Sequence, residues 1–362
     1  MKDSSFKSLY QILSTALNES PSPICWIVDE NISTNLLEAL QPTLEKRKEA
    51  ITAITNRFDL KHLLSKKYHI ETIISDFDLS SIDSPKHFNT IIYRISKEKP
   101  LAHHCINESI KKLSKNGELI LIGEKNDGFK SIVKNTCDHF EIEKNSKKTG
   151  SYYSANLEKT SNTTNENIVN NSLNTQDYKN LRLIEDDGIS FYSKPGVFGW
   201  NKVDRGSKLL AEYITHHHHQ FRKASSFLDL GCGWGYFSLV TKDFETEYRC
   251  ATDNNIAAVN ATQKNMELNG LDVDVLLDDC GSNIERRFKL IVCNPPFHSG
   301  FGVDEELSKK FLKQTSRLLN KRGTALFVVN QFIPIERLGE KLFGKIQLVQ
   351  QDQGFKIFLI EH

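Results

Sequence analysis

Long apolar runs are missing from this chain of 362 residues. No stretch approaches the roughly 20 apolar residues that a spanning helix needs, so no membrane segment is expected. Met1-Lys-Asp-Ser-Ser lacks the apolar core of a secretion signal, which points to a cytoplasmic protein. Paired cysteines are also missing: the seven cysteines are scattered with no C-x-x-C spacing. Cys25, Cys250 and Cys293 fall inside apolar strands, the pattern of reduced, buried thiols. Net charge is nearly absent, at +1. That counts against binding of naked nucleic acid, whose partners are often strongly basic. Local basic runs such as Arg286-Arg287, Lys309-Lys310 and Lys321-Arg322 read first as solvated faces. Those beside the proline loop described below are placed to meet phosphates. The histidines at 216–219 are adjacent and lack matching Cys or carboxylate spacing, so no metal site is expected.

What is present is concentrated in Phe227-Leu-Asp-Leu-Gly-Cys-Gly-Trp-Gly235. An apolar strand precedes the glycines, and Tyr236 to Phe244 opens an amphipathic helix. Glycine lets the backbone turn at positive φ and lets a ligand lie against it. The helix N-terminus then presents N–H groups. A dinucleotide loop is spaced G-x-G-x-x-G. Here the spacing is G-x-G-x-G, with Asp229 two residues ahead of Gly231. A carboxylate repels a pyrophosphate and attracts a cation. Asp229, Gly231, Cys232, Gly233 and Gly235 therefore favour S-adenosylmethionine, which carries a sulfonium and an ammonium and no phosphate. Cys232 is not expected to act as a nucleophile, because no base lies near it in sequence.

A second strand, Phe288 to Cys293, ends in Asn294-Pro-Pro-Phe297. Prolines without N–H donors stop the ladder and stiffen the loop. The Asn294 side chain and the Pro295 carbonyl offer two acceptors. Two acceptors suit a planar amino group with two hydrogens, and Phe297 offers a face for a flat base. Pro296, His298 and Phe198 are further candidates for substrate contact. For His298, support of the loop is preferred over proton removal, since the proton turns acidic only after transfer. Asp253 ends the next strand and is placed to accept ribose hydroxyls; its competing role is a helix N-cap. Asp278 and Asp279 follow a third strand, with Asp279 preferred for the adenine amino group.

Organisation is that of a duplication. Residues 1–157 alternate helix and strand, an α/β layer. Residues 158–180 are rich in Asn, Thr and Ser and read as an exposed linker. Residues 181–362 form the second domain. Phe88 to Tyr93 parallels Phe288 to Cys293, and Lys112 to Gly117 parallels Leu318 to Gly323. The first copy lacks both chemical loops: Asp29 follows its first strand, and Arg94-Ile-Ser-Lys replaces Asn-Pro-Pro-Phe. It is expected to keep the fold and hold no cofactor. Leu181 to Ile184 and Ile189 to Tyr192 flank a hairpin turn. Lys194 to Asp204 is expected to fold over the cofactor pocket.

Together these residues resemble the class I S-adenosylmethionine-dependent methyltransferases. Asn294 to Phe297 is similar to the loop of enzymes that methylate planar nitrogens. More closely, the chain resembles the family of ribosomal RNA small subunit methyltransferase C. Pro195 to Phe198 match that family's Pro-Gly-Val-Phe segment, and Asn294 to His298 match its Asn-Pro-Pro-Phe-His loop. The resemblance is strong over 181–362 and mostly architectural over 1–157. It implies two tandem Rossmann-like domains, each a mainly parallel seven-stranded sheet with an antiparallel C-terminal strand, the first degenerate. It also implies methylation of a guanine 2-amino group in 16S rRNA on the small ribosomal subunit. A monomer is expected, although the sequence does not determine the oligomeric state. Adenine 6-amino groups, a protein glutamine amide, or a non-catalytic assembly role are the competing readings.

Overall fold

The computed structural model describes residues 4–29, 31–85, 87–159, 172–296, 298–299, 302–303 and 305–362. Two compact units divide the chain, 1–180 and 181–362. In the first, strands β1 (Ile24–Ile27), β2 (Ile51–Thr55), β3 (Glu71–Ile74), β4 (Phe88–Arg94), β5 (Leu113–Glu124), β6 (Glu143–Thr149) and β7 (Tyr152–Glu158) form one sheet. Its order is β3-β2-β1-β4-β5-β7-β6. β1 to β5 are parallel, and β7 and β6 complete the sheet antiparallel.

The second unit opens with a hairpin, β8 (Arg182–Asp186) and β9 (Ile189–Ser193). Its sheet comprises β10 (Ser226–Leu230), β11 (Tyr248–Asp253), β12 (Asp274–Leu277) and β13 (Phe288–Cys293). A two-residue pair, β14 (His298–Ser299) and β15 (Gly302–Val303), follows. β16 (Leu319–Asn330), β17 (Lys345–Asp352) and β18 (Phe355–Glu361) complete the sheet, in the order β12-β11-β10-β13-β16-β18-β17. Phe227, Leu290 and Val292 pack with Leu210 and Phe237 on one face. Leu228, Leu230, Ile291 and Cys293 pack with Phe311 and Leu312 on the other. The split follows the period-two alternation of side chains along a strand. From β10 the chain runs outward through β11 and β12, then returns to β13 on the opposite side of β10. This reversal leaves a crevice at the C-terminal ends of β10 and β13, where open α/β sheets bind ligands.

The duplication reaches individual residues. β5 and β16 have the same length and burial pattern, and each meets its neighbour with the same irregularity, at Phe88/Thr90 and at Phe288/Leu290. Ile27 pairs with Tyr93 as Leu230 pairs with Cys293. Counting from those pairs, Trp26 occupies the position of Asp229, and Arg94 that of Asn294. By the same count on the neighbouring strand, Thr55 occupies the position of Asp253. Arg94 Nε donates to Asp29 Oδ2 at 2.9 Å, and a second contact completes a paired ion bridge with little solvent access. Asp29 lies where the second unit has its glycine loop. Breaking a buried pair from one side strands the other charge. Arg94→Ala is therefore expected to cost about 3 kcal/mol, whereas the double replacement Asp29→Asn/Arg94→Met stays near neutral. Denaturant unfolding of the three proteins checks this.

Three strands of the first unit, β2, β3 and β6, are not evident from the sequence. β6 reads Glu-Lys-Asn-Ser-Lys-Lys-Thr and is an outer strand held by backbone pairing to β7, so it shows no apolar signature. The linker expectation also needs correction at its described ends. Lys159 Nζ donates to the carbonyls of Ile110 and Leu113. Leu173 and Tyr178 are buried in the first unit's core. Asn107 bonds Leu173 at both ends of its amide, and Tyr178 stacks on His104. Residues 172–180 are thus part of the first unit. Two apolar anchors suffice to hold a segment whose overall composition is polar. Among the described residues no helix is long and apolar enough to cross a membrane.

Candidate active site

The glycine loop leaves β10 at the crevice. Gly231, Gly233 and Gly235 all have positive φ, at +78°, +57° and +89°. At Gly235 the φ demands glycine, and a Cβ would also be crowded by Met266 Cε at 3.0 Å. Gly231 N and Cys232 N donate to Thr252 O on β11, at 2.9 and 3.0 Å. Gly233 N donates to Asp253 Oδ2 at 3.0 Å. The following helix, Tyr236–Val240, is shorter than the sequence suggests. One of its first N–H groups is already taken: Asp229 Oδ2 accepts from Ser238 N at 3.0 Å and Ser238 Oγ at 2.9 Å. Asp229 therefore caps this helix from beneath. Its other oxygen, Oδ1, is buried and has no hydrogen-bond partner among the described residues. Burial pushes the Asp229 carboxyl up to about 7, against the opposing bonds from Ser238. Cys232 is buried, its Sγ lies 3.3 Å from Thr262 Oγ1, and desolvation raises its thiol pKa well above the usual range. That environment is unsuited to a nucleophile.

Asp253 stands at the end of β11. Its Oδ1 accepts from Asn255 N at 2.9 Å while Oδ2 holds Gly233. The competing cap role falls to Asn255, which receives Ala257 N at 2.9 Å. After β12, Asp278 is buried and consumed locally by Asp279 N, Ser282 Oγ and both nitrogens of Asn283. Asp279 is the more open of the two and is bridged to Lys310.

Asn294 follows β13 and is half-buried, with Pro295 buried and Pro296 exposed. Asn294 Nδ2 donates to Asp204 Oδ2 at 3.0 Å and to Ser207 Oγ at 2.8 Å. Both residues belong to the first turn of the helix Arg205–His216, where Asp204 is the N-cap and accepts Ser207 N at 2.9 Å. A carboxylate can only accept, so the amide nitrogen must face it. Oδ1 is turned the other way and accepts no hydrogen bond among the described residues. Phe297 and the side chain of His298 lie outside the described residues.

The segment before that helix reaches the loop. Asn255 Nδ2 donates to Gly196 O at 3.0 Å. The carbonyl of Phe198 lies 3.9 Å from where a Gly233 Cβ would stand, while the Phe198 ring is exposed. Trp234 of the loop stacks on Phe191 at 3.7 Å, and buried Asn265 ties Trp234 O to both backbone groups of Tyr192. The crevice thus gathers Asp229, the three glycines, Asp253 and Asn294. The sequence alone assigns no individual site role to Asp204, Ser207, Asn255 or Asn265. Asp204-x-x-Ser207 before an apolar run signals a cap, but nothing local points to an amide 90 residues onward. A separate groove of about 700 Å³ is lined by Asp187, Lys208, Glu212, Tyr236 and Leu268, among others, and includes none of the crevice residues.

Comparison with known proteins places these features. The methyltransferase small domain matches residues 188–359, and its N-terminal companion domain matches 30–171. The second unit thus carries the methyltransferase small domain, and the first carries its N-terminal companion. Its curated relatives include proteins named ribosomal RNA small subunit methyltransferase C. One from Salmonella arizonae is 27% identical over 272 residues, 75% of each chain. One from Buchnera aphidicola is 28% identical over 295 residues, covering 81% of this chain and 82% of the relative. The fold of the chain is similar to that of the T. thermophilus 16S rRNA N2 methyltransferase solved with AdoMet and guanosine. That likeness has a TM-score of 0.78 and 22% identity, over 99% of this chain and 92% of that one.

Proposed function

We propose that the second unit transfers a methyl group from S-adenosylmethionine to the exocyclic 2-amino group of a guanine in 16S rRNA, within the small ribosomal subunit. The observation that carries this reading is the fixed orientation of Asn294, whose amide nitrogen is engaged by Asp204 and Ser207. Its oxygen is the end left for substrate. With the Pro295 carbonyl it forms a pair of acceptors for an amine bearing two hydrogens. The curated relatives' names direct the choice of amine to rRNA.

The crevice suits the cofactor's charge and shape. Asp229 Oδ1 is a buried carboxylate oxygen without a partner among the described residues, which calls for a cation. The glycine loop is a bare surface beside it, and Asp253 and Asp279 are the acceptors for ribose and adenine. S-adenosylmethionine supplies an electrophilic methyl group. Asn294 Oδ1 and Pro295 O accept the amine hydrogens, orient its lone pair and stabilise the positive charge that develops on nitrogen. The guanine must leave its stack to reach this depth, and Phe297 provides the face that receives it. Methyl transfer would release the neutral thioether S-adenosylhomocysteine, and the cationic amine then gives up one of its two hydrogens to solvent without a strong base. Pro296, His298 and Phe198 complete the substrate side.

The first unit is assigned no cofactor. Trp26, Thr55 and the Asp29–Arg94 pair stand where the second unit has Asp229, Asp253, the loop and Asn294. It serves to support the second unit or grip the substrate. Two measurements test the reading. Titration is expected to give one equivalent of S-adenosylmethionine per chain; two would refute the assignment for the first unit. Methyl transfer to small subunits from cells lacking this protein should yield N2-methylguanosine on nucleoside digestion. Methylated adenine, or label in protein glutamine, would overturn the choice of target.

A further inference from the structure

We infer that Phe332 is an aromatic platform for a nucleobase next to the target, a substrate contact separate from the Asn-Pro-Pro-Phe loop. The inference rests on the RNA reading above. Phe332 is 73% exposed and Phe198 66%, the two most exposed large apolar side chains among the described residues. Both stand on the rim where β10 and β13 end. The Phe198 carbonyl lies 3.9 Å from where a Gly233 Cβ would stand. Phe332 is two residues past the end of β16, the strand next to β13.

Its turn is rigid. Phe332 N donates to Asn330 Oδ1 at 3.2 Å, Ile333 N to Asn330 O at 3.0 Å, and Gln331 N to Gly354 O at 2.8 Å. Ile333 and Ile335 are buried and anchor the turn from below. The ring is displayed outward by a backbone with little freedom to withdraw it. The turn also connects to Asn294. Asn330 pairs with Phe355, and the Phe355 ring sits 2.8 Å from where a Cβ on Gly206 would stand. Gly206 lies between Asp204 and Ser207, the two residues that hold Asn294. Beside it, Arg205 Nη2 donates to Gln353 Oε1 at 2.5 Å, which keeps a cation at the same rim.

The first unit provides an internal control. β5 matches β16 in length and burial and ends at Glu124, so Asn126 holds the position of Phe332. At this position the exposed ring belongs to the unit that carries the glycine loop, and the first unit has an asparagine. An exposed phenyl adds almost nothing to folding, whereas every base has a face on which an aromatic ring can stack.

The test compares wild type with Phe332→Ala, Phe332→Leu and Phe332→Trp in methyl transfer to unmethylated small subunits. Phe332→Ala and Phe332→Leu should raise KM for the subunit roughly tenfold, with kcat and S-adenosylmethionine affinity unchanged. Phe332→Trp should restore KM. Its fluorescence should be quenched by a single-stranded RNA fragment beyond any change in wild type, whose own tryptophans number three. An unchanged KM in Phe332→Ala, or an unquenched Phe332→Trp, overturns the inference. If wild type proves inactive on subunits the functional reading fails by itself. Quenching of Phe332→Trp by RNA then still decides whether the ring is a stacking surface.

Discussion

Asn294→Ala is expected to lower kcat roughly 10³-fold while changing S-adenosylmethionine affinity less than about threefold, judged from the loss of one preorganised polar group at a reacting centre. The split follows from the proposed role, in which Oδ1 accepts from the amine, and from Nδ2 being held by Asp204 and Ser207. The same bonds predict how the neighbours behave. Asp204→Ala frees the amide to rotate and removes a helix cap, the latter worth about 1 kcal/mol. Asp204→Asn retains an oxygen able to accept from both Ser207 N and Asn294 Nδ2. If Asp204 acts by positioning, Asp204→Asn should recover most of the turnover lost in Asp204→Ala. If it acts only as a cap, kcat should follow the melting temperature across both variants. Steady-state kinetics with cofactor titration separates the two, and equal losses of binding and turnover in Asn294→Ala would remove the assigned role.

Asp229→Asn is expected to stabilise the protein and disable it. The carboxyl is held at about 7 by burial. An unfolded chain gives up this proton at the ordinary 3.8, so between 3.8 and about 7 the folded state binds more protons than the unfolded one. Stability contributed by this group therefore falls as pH rises through that window and stays low above it. The difference is on the order of 4 kcal/mol. An asparagine keeps an acceptor for Ser238 and carries no charge, so at pH above 7 it should raise the melting temperature by roughly 5 °C or more. Cofactor binding should weaken roughly 10–100-fold, because a charge-assisted contact is lost. In wild type, affinity should decline about tenfold per pH unit below 7 as the carboxyl protonates, and the variant should lack that slope. Superimposable melting curves and unchanged cofactor affinity would show that the buried carboxylate answers to no cation.

The chemistry was legible in sequence wherever its determinants were local. Gly231, Gly233 and Gly235 announce a bend because glycine alone adopts those angles freely, and Asn294-Pro-Pro announces a stiff corner after a strand. Asp253 was legible as the acid closing the next strand. Contacts made by chain crossing were not. Asp204 reads only as a cap until the fold brings Asn294 to it, and Asn265 reads as a mid-helix polar residue until Trp234 and Tyr192 meet it. Phe332 gives no signal at all, since an isolated phenylalanine after a strand is expected to be buried. Short or polar strands failed for the same reason: β3 and β6 are specified by their neighbours' backbones. Residues 172–180 misled because composition averages over Leu173 and Tyr178, the two side chains that decide where the segment lies.

The correspondence between the two sheets has a wider meaning. Trp26, Thr55 and Arg94 sit in an architecture indistinguishable in strand order from the one that holds Asp229, Asp253 and Asn294. Folding is written in the alternating apolar positions shared by both halves, and reactivity in a handful of strand-end positions that the scaffold tolerates with quite different occupants. On the reading proposed above, the first unit is a built-in blank, against which the energetic burden of being an enzyme can be weighed without leaving the molecule.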